Sequence, residues 1–353
     1  MPGSQHSRAR VARRIATAAA YGGGGLGLLG VGLAGVLITE GRLAMRAVGV
    51  LEGDPPKADG LYGDGFVDPA EDDRKPLVMA FLGDSTAVGL GVRRGRETPG
   101  SLLAAGVASV AERRVRLVNV AVSGARSDDL ARQVRQALTA RPDVAVIMIG
   151  ANDVRRRTPP AHAVRLLGEA VRDLRAFGCE VVVGTCPDLG TIKPVRPPLR
   201  WLARRVSRQL AAAQTIAVVE AGGRTVSLGS LLGPEFAARP ELFASDRFHP
   251  SAQGYATAAM AVLPSVCASL DLWPQEMTPP EPGSREALLP MAVAAATAAG
   301  RSGTEVASAS ESAGGRRWAL VKQRLRFALP AGGGPDTSAS SHPEPDDARS
   351  TWE

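Results

Sequence analysis

The feature that most constrains the fold is an uninterrupted run of six apolar residues, 77–82, followed directly by Gly83-Asp84-Ser85-Thr86. A run of this length, bounded by turn-forming residues, is typical of a strand buried on both faces. Such strands occur in parallel sheets covered by helices, where ligands collect at the carboxyl ends of the strands. Ser85 therefore stands where a nucleophile would be placed. Taken alone, the stretch also fits a simpler interpretation, a serine that caps the next helix.

Apolar runs and helix-like segments alternate from residue 77 onwards. Four further runs of strand type are residues 115–122, 144–149, 180–185 and 225–228, and helices are predicted for residues 98–113, 127–138, 160–177, 199–221 and 251–270. Alternation of this kind predicts a parallel sheet with helices on both faces. We therefore predict one α/β domain with five parallel strands over residues 76–272, a normal size for a single domain.

The N-terminal part has the pattern of a membrane segment. Residues 1–14 are basic, and residues 15–39 carry no charge over 25 positions. That length can span a bilayer, and the preceding arginines predict a cytoplasmic N-terminus and an exported remainder. We favour an uncleaved anchor over a cleaved signal peptide, because no clear Ala-x-Ala site follows. Residues 40–75, acidic and rich in Gly and Pro from residue 52, are interpreted as a solvated linker.

Composition changes again after the predicted domain. Residues 273–353 are dominated by Pro, Ser, Gly, Ala and Glu, which predicts a mostly disordered tail. Within it, residues 316–329 mix basic and apolar side chains, so this piece fits either a basic amphipathic helix on an anionic surface or an unstructured basic tail.

Charge and cysteine content exclude some functions. The formal net charge of +7 is scattered as arginines over predicted helix faces, with no dense basic tract interleaved with aromatics, which argues against nucleic-acid binding. No Cys/His spacing suggests a zinc site. Cys179 and Cys186 flank a predicted strand and would lie roughly 23 Å apart along it, too far for a disulfide.

Four predicted loops at the carboxyl edge of the sheet carry polar residues of the types that serine hydrolysis needs: Ser85, residues 123–126, residues 150–153 and residues 246–250. A serine nucleophile requires a base and an acid that orients the base. Of four histidines, His6 and His342 lie outside the predicted domain and His162 opens a helix, which leaves His249, three residues after Asp246.

An oxyanion site needs preorganised donors. The backbone N–H of Gly124 and the side-chain amide of Asn152 fit that need, although Asn152 also fits a helix cap. Position 87 is alanine, so the chain has no Gly-x-Ser-x-Gly elbow, which argues against an ordinary α/β-hydrolase.

Together, Gly83-Asp84-Ser85, Gly124, Gly150-x-Asn152-Asp153 and Asp246-x-x-His249 resemble the SGNH/GDSL hydrolase family in order and context. The resemblance covers essentially the whole predicted domain, and the chain is similar to exported actinobacterial members of the family. One departure is Thr86, where the family name has leucine. It implies a three-layer α/β/α, flavodoxin-like fold, ester hydrolysis without a cofactor or metal, Ser85 as nucleophile, His249 as base and Asp246 as its orienter. It also implies an oxyanion hole made by the Ser85 N–H, the Gly124 N–H and the Asn152 side chain. We interpret Asp84 as structural.

The resulting hypothesis is a membrane-anchored serine esterase of the cell envelope, with its catalytic domain outside the cytoplasm, or secreted if the N-terminal segment is cleaved. Its expected substrates are small esters, lipids or acylated carbohydrates. Two alternatives stay open: an O-acetyl esterase or acyltransferase acting on envelope polysaccharide, and a catalytically silent ligand-binding domain. Residues 190–209 fit an apolar rim for acyl chains, a basic surface facing lipid headgroups, or an ordinary solvated helix.

Overall fold

The computed structural model describes residues 35–44, 46–48, 51, 55–66 and 74–272. The strands of this part are β1 Gly60–Tyr62, β2 Leu77–Gly83, β3 Val115–Asn119, β4 Val144–Met148, β5 Glu180–Gly184 and β6 Arg224–Val226. Its helices are α1 (residues 35–44), α2 Ser85–Val88, α3 Pro99–Ala111, α4 Leu130–Leu138, α5 Ala151–Arg156, α6 Pro160–Ala176, α7 Leu199–Glu220, α8 Leu228–Ala238 and α9 Ala252–Ser269.

The strands form one mixed sheet in the order β1-β3-β2-β4-β5-β6. Strands β2 to β6 are parallel, and β2 lies between β3 and β4, so the chain reverses its winding direction at β2. In such sheets the crevice at the switch point is where ligands bind. The predicted parallel α/β core is confirmed, and the nucleophile strand occupies the position that opens this crevice.

The prediction of five strands was wrong, because β1 adds a sixth, antiparallel to β3. It lies inside the segment that we interpreted as a solvated linker. A three-residue strand that starts with glycine gives no alternating pattern, and its pairing depends on tertiary contacts. The Asp59 carboxylate accepts the Asn119 N–H at 2.7 Å, and the Tyr62 hydroxyl donates to the Ala58 carbonyl at 2.5 Å.

Two apolar layers bury the sheet, as the unbroken run in β2 predicts. Met79 and Phe81 face a core that α3 and α9 close, whereas Ala80 and Leu82 face a second core under α4 and α6. All four side chains are fully buried. The strand is therefore held on both faces, and its carboxyl end is a rigid support for Ser85.

Helix α8 was missed, because the sequence over residues 228–238 contains Gly229, Gly233 and Pro234, which all lower helix propensity. The structure nevertheless packs Leu228, Leu232 and Phe236 into the core under α9. Burial of these side chains outweighs the local preference, a gain that propensity alone does not reveal.

Several predictions fall outside the described residues: the basic N-terminus 1–14, most of the segment 15–39, the acidic stretch 67–73 and the tail 273–353 with its basic piece 316–329. Over the residues that the structure does describe, no helix is both long and apolar enough to cross a membrane.

Candidate active site

The nucleophile turn forms where β2 meets α2. At Gly83, φ is +135°, and a Cβ atom built there would lie 1.9 Å from the Met148 carbonyl oxygen, so only glycine fits between β2 and β4. The next residue, Asp84, donates its backbone N–H to the same carbonyl at 3.1 Å and accepts the Thr86 N–H at 2.9 Å as the cap of α2. Ser85 is thus the first residue of a helix whose position is fixed by the sheet. Asp84 therefore lies in a hydrogen-bonded turn, as predicted, and its structural role stays a prediction.

Ser85, His249 and Asp246 form one hydrogen-bonded chain. The Ser85 Oγ lies 2.9 Å from His249 Nε2, and His249 Nδ1 lies 2.5 Å from Asp246 Oδ2. A nucleophile, a base and an orienting carboxylate in this order are the parts that serine hydrolysis requires. The three residues, predicted from two loops far apart in the sequence, are therefore brought together.

The loop before α9 holds the acid and base in place. The Asp246 Oδ1 accepts the N–H groups of Phe248 and His249, both at 3.0 Å. Arg247, directly after Asp246, adopts a positive φ of 58°. Burial alone would raise the pKa of Asp246, but the hydrogen bonds from His249 and from the two backbone N–H groups hold that pKa below its ordinary value. The carboxylate therefore stays ionised and can accept the imidazole N–H.

The two other predicted oxyanion donors lie on neighbouring loops. Gly124 is exposed, has φ +81° and has open space where a Cβ would project, so no neighbouring side chain covers it on that side. The buried Asn152, in α5, donates its side-chain amide to the Ala125 carbonyl at 3.1 Å. This bond ties Asn152 to the loop of Gly124 and uses one of the two N–H donors that a carboxamide carries.

Two buried glutamines hold the strand ends at the crevice, and the sequence analysis missed both. The Gln133 side chain accepts the Gly83 N–H at 2.8 Å and donates to the Gly83 carbonyl at 2.9 Å. The Gln214 side chain accepts the Cys186 N–H at 2.7 Å and donates to the Ile149 carbonyl at 3.1 Å. Each amide replaces ladder bonds that are lost where the strands separate. The only available signal was a glutamine on the apolar face of a predicted helix.

We expect Gln133→Leu to lower both stability and kcat. The change would leave the buried N–H of Gly83 unsatisfied, at a cost of about 1–3 kcal/mol, whereas the Gly83 carbonyl would still accept the Val122 N–H. Because Gly83 sets the position of Ser85, we expect kcat to fall at least about tenfold with KM nearly unchanged. Thermal melting and steady-state ester hydrolysis would measure this. Gln136→Leu, on the exposed face of the same helix, is the matched control; equal effects from both variants would contradict the positioning role.

Two further carboxylates are buried near the triad. Burial raises the pKa of Asp84 to about 6, against the lowering effect of the Thr86 hydrogen bond. Burial also raises the pKa of Asp153, whose carboxylate accepts the N–H and the hydroxyl of Ser127. Asp153 therefore joins α5 to the loop that follows Gly124, and it acts as a structural link between the oxyanion loops.

The raised pKa of Asp84 predicts a pH-dependent stability. A carboxyl that titrates near 3.9 unfolded and about 6 folded destabilises the fold progressively as pH rises from 4 to 6, and by a constant amount above that. Asp84→Asn keeps the acceptor for Thr86 and removes the charge. We expect its advantage in unfolding free energy over the wild type to grow by a few kcal/mol between pH 4 and pH 7. Denaturant titrations at several pH values would measure it, and a pH-independent difference would contradict the assignment.

An apolar pocket of about 860 Å³, including its open mouth, lies beside the triad. Thr86 and Phe248, which flank Ser85 and His249 in the chain, line its wall near the triad, and α8 supplies the far wall through Leu232, Gly233 and Phe236. Concave, mostly apolar clefts of this kind are where proteins bind small molecules. Most of the lining is apolar, although Asp84, Asp188 and three threonines also contribute, so the pocket is suited to an apolar group joined to the reacting atom.

The three cysteines form no disulfide with one another. Cys179, Cys186 and Cys267 are buried free thiols, as expected for the first two. No group of three or more His, Cys, Asp or Glu side chains in the described ranges is placed to hold a metal ion.

Comparison with known proteins gives consistent matches. Residues 81–257 match the model of the GDSL-like lipase/acylhydrolase family. A GDSL-like esterase of Mycobacterium tuberculosis is 41% identical over 281 residues, which cover 76% of this chain and 88% of that protein. Among solved structures, the acetylxylan esterase Axe2 of Geobacillus stearothermophilus is similar with 20% identity and a TM-score of 0.43, over 53% of this chain and 93% of that one. TesA is similar with 22% identity and a TM-score of 0.42, over 55% of this chain and 99% of that one.

Proposed function

The chain belongs to the GDSL-like lipase/acylhydrolase family and is a serine ester hydrolase, and from this premise we propose that Ser85, His249 and Asp246 carry its catalysis. The observation that carries the proposal is the hydrogen-bonded chain from Ser85 Oγ through the imidazole to the buried Asp246 carboxylate. Nothing in this chemistry calls for a cofactor.

In the first half of the reaction, Ser85 Oγ attacks the ester carbonyl while His249 Nε2 takes the hydroxyl proton. The oxyanion accepts hydrogen bonds from the N–H groups of Ser85 and Gly124 and from the Asn152 amide. The carbon–oxygen bond to the alcohol then breaks, and His249 returns the proton to the leaving alkoxide. In the second half, His249 deprotonates a water molecule, which attacks the acyl-enzyme and releases the acid with Ser85 restored. Asp246 keeps the Nδ1 proton in place and stabilises the imidazolium in both halves.

Covalent labelling tests the nucleophile directly. A fluorophosphonate reacts with activated serines, so we expect it to modify the full-length protein at one site, Ser85, and to stop hydrolysis of a short chromogenic ester in proportion. Peptide mass spectrometry would locate the label. A protein that hydrolyses the ester but carries the label on another serine would overturn the assignment, and a protein inactive on every ester would favour the silent, ligand-binding alternative.

The pocket beside the triad favours esters with an apolar acyl group. A polysaccharide O-acetyl esterase or acyltransferase needs polar groups that hydrogen-bond to sugar hydroxyls, whereas the wall formed by Leu232, Phe236 and Phe248 is hydrocarbon. We therefore propose that the acyl chain of the substrate enters this pocket. Lipid or medium-chain esters are then the better substrates, and envelope O-acetyl groups are the alternative.

Filling the pocket should shorten the acyl chain that the enzyme accepts. A Cβ at Gly233 would meet its nearest heavy atom, of Asp188, at 3.6 Å, so Gly233→Leu can project into the pocket without a backbone clash. We expect kcat/KM for an octanoyl ester to fall at least about tenfold with acetyl-ester activity retained. Ala237→Leu, on the exposed side of the same helix, is the matched control. Equal losses on both esters, or none on either, would contradict an acyl pocket.

We also propose that the enzyme is exported and stays anchored through residues 15–39, with its catalytic domain outside the cytoplasm. The support is the charge-free stretch of 25 residues behind Arg8, Arg10, Arg13 and Arg14. Protease treatment of intact spheroplasts should digest the domain, and membrane fractions should retain the undigested protein. A soluble mature form that starts after residue 40 would establish a cleaved signal instead.

A further inference from the structure

The chain that leaves the charge-free stretch docks beside the catalytic loops. Glu40 accepts the Leu199 N–H at 3.0 Å through its carboxylate, and a Cβ built on Gly41 would lie 4.0 Å from the Leu199 side chain. A few residues later, the Ala47 carbonyl accepts the Arg247 guanidinium at 2.7 Å. Residues 40–47 therefore lie between the N-terminus of α7 and the loop that carries Asp246 and His249.

The surface next to this docked segment is basic and partly apolar. We define the basic rim as residues 193–205; its cations are Lys193, Arg196, Arg200, Arg204 and Arg205. No Asp or Glu occurs between residues 189 and 219, so the rim has no neutralising acid of its own in the chain. Trp201 projects from it with 68% of its surface exposed, next to Leu202 at 43%. On the neighbouring α1, Val36, Ile38 and Leu43 are each about half exposed.

Some of these cations have internal partners. Arg204, together with Arg208 just beyond the rim, pairs with the buried Asp188 carboxylate, and Arg200 donates to the Val195 and Lys193 carbonyls. The exposed side chains of Lys193, Arg196 and Arg205 have no ion-pair partner among the described residues. An exposed tryptophan in a basic segment is well suited to the headgroup region of a membrane.

We propose that the basic rim rests on the surface of an anionic lipid bilayer, with Trp201 at the headgroup level. Three features support an anionic bilayer as the partner of this surface. Glu40 is the first charge after 25 uncharged residues, and its hydrogen bond to Leu199 places the rim near the end of that segment. The rim carries positive charge, which anionic headgroups attract. Its exposed tryptophan is the side chain most enriched at membrane interfaces.

This placement also says how substrate reaches the site. Ile192, directly before the rim, lines the apolar pocket, and Arg247 joins the docked segment to the loop of His249. The pocket mouth is therefore close to the lipid surface, and esters carried by lipids can enter it from there. This last step rests on the proposed esterase function, whereas the bilayer contact itself does not.

The test uses the full chain reconstituted into vesicles of phosphatidylcholine, alone or with phosphatidylglycerol as about a third of the lipid. The acyl chains are brominated near their carbonyl ends, since bromine quenches tryptophan on contact. The chain has four tryptophans, so the difference between wild type and Trp201→Phe isolates the signal of Trp201. We expect the brominated lipid to at least halve the fluorescence of Trp201 in the anionic vesicles and to affect it much less in phosphatidylcholine.

A matched pair of charge variants sharpens the test. The combination Lys193→Gln, Arg196→Gln and Arg205→Gln removes three cations from the rim, and we expect it to restore the Trp201 signal, since each cation near the surface contributes roughly fivefold to binding. The combination Arg135→Gln, Arg141→Gln and Arg172→Gln removes three exposed cations elsewhere and should leave the quenching unchanged.

Three results would overturn the proposal: no quenching of Trp201 in any vesicle, equal quenching in both lipid mixtures, or equal recovery with both sets of variants. Hydrolysis of a short soluble ester, measured on the same preparations, should be unchanged by either set and reports on the esterase separately. Quenching as expected in a protein without esterase activity would uphold the bilayer contact and reject the proposed function.

Discussion

Replacing Ser85 with alanine is expected to abolish ester hydrolysis while leaving the fold intact. The Oγ atom supplies the electron pair that forms the acyl-enzyme, and no other hydroxyl is hydrogen-bonded to His249 in the part of the chain that the structure describes. Removing the nucleophile of a triad lowers kcat by several orders of magnitude, on the order of 10⁵-fold or more, and leaves only the rate that the oxyanion donors and substrate binding provide.

The fold should tolerate this change. Among the described residues the Ser85 side chain is hydrogen-bonded only to His249, whereas the cap of α2 is the Asp84 carboxylate. We therefore expect Ser85→Ala to melt within a few degrees of the wild type. Ser245→Ala, an exposed serine next to Asp246, is the matched control and should keep full activity. A folded Ser85→Ala protein with wild-type rates would refute the catalytic role of Ser85.

The sequence predicted the core of the fold because burial leaves a local signature there. Strand β2 is an unbroken apolar run, and its residues alternate between two cores that helices close. Strand β1 and helix α8 left no such signature. Gly60–Tyr62 is stabilised by pairing with a strand more than 50 residues away, and α8 is stabilised by packing under α9 in spite of Gly229, Gly233 and Pro234. Long-range contacts outweigh local propensity in both places.

The candidate site was predictable to the extent that its parts are local motifs. Asp246 and His249 share one turn, and Ser85 and Asn152 each follow a strand, so sequence order alone places them at one edge of a sheet. The supporting residues were not predictable in this way. Gln133 and Gln214 are joined to backbone groups up to 65 residues away, and a buried glutamine resembles any polar residue on a helix until its partners are known.

The second large effect concerns how Asp246 and His249 divide their work. His249→Ala removes the base and should be nearly as damaging as Ser85→Ala, because neither group acts without the other. Asp246→Asn is more informative. Its Oδ1 can still accept the N–H groups of Phe248 and His249, so the loop should keep its shape. Its amide, however, would present a donor to His249 Nδ1 in place of the carboxylate oxygen.

That donor forces Nδ1 to act as an acceptor, so the imidazole proton moves to Nε2, the atom that must take the proton of Ser85. We expect Asp246→Asn to lower kcat by about 10⁴-fold, with a much smaller change in KM. Once His249 is alanine, however, there is no imidazole left to orient. The double variant should therefore be no slower than His249→Ala alone, within a few-fold, when kcat is measured on a short chromogenic ester. If the two losses multiply instead, Asp246 and His249 act independently, and the triad assignment fails even though the two side chains are hydrogen-bonded.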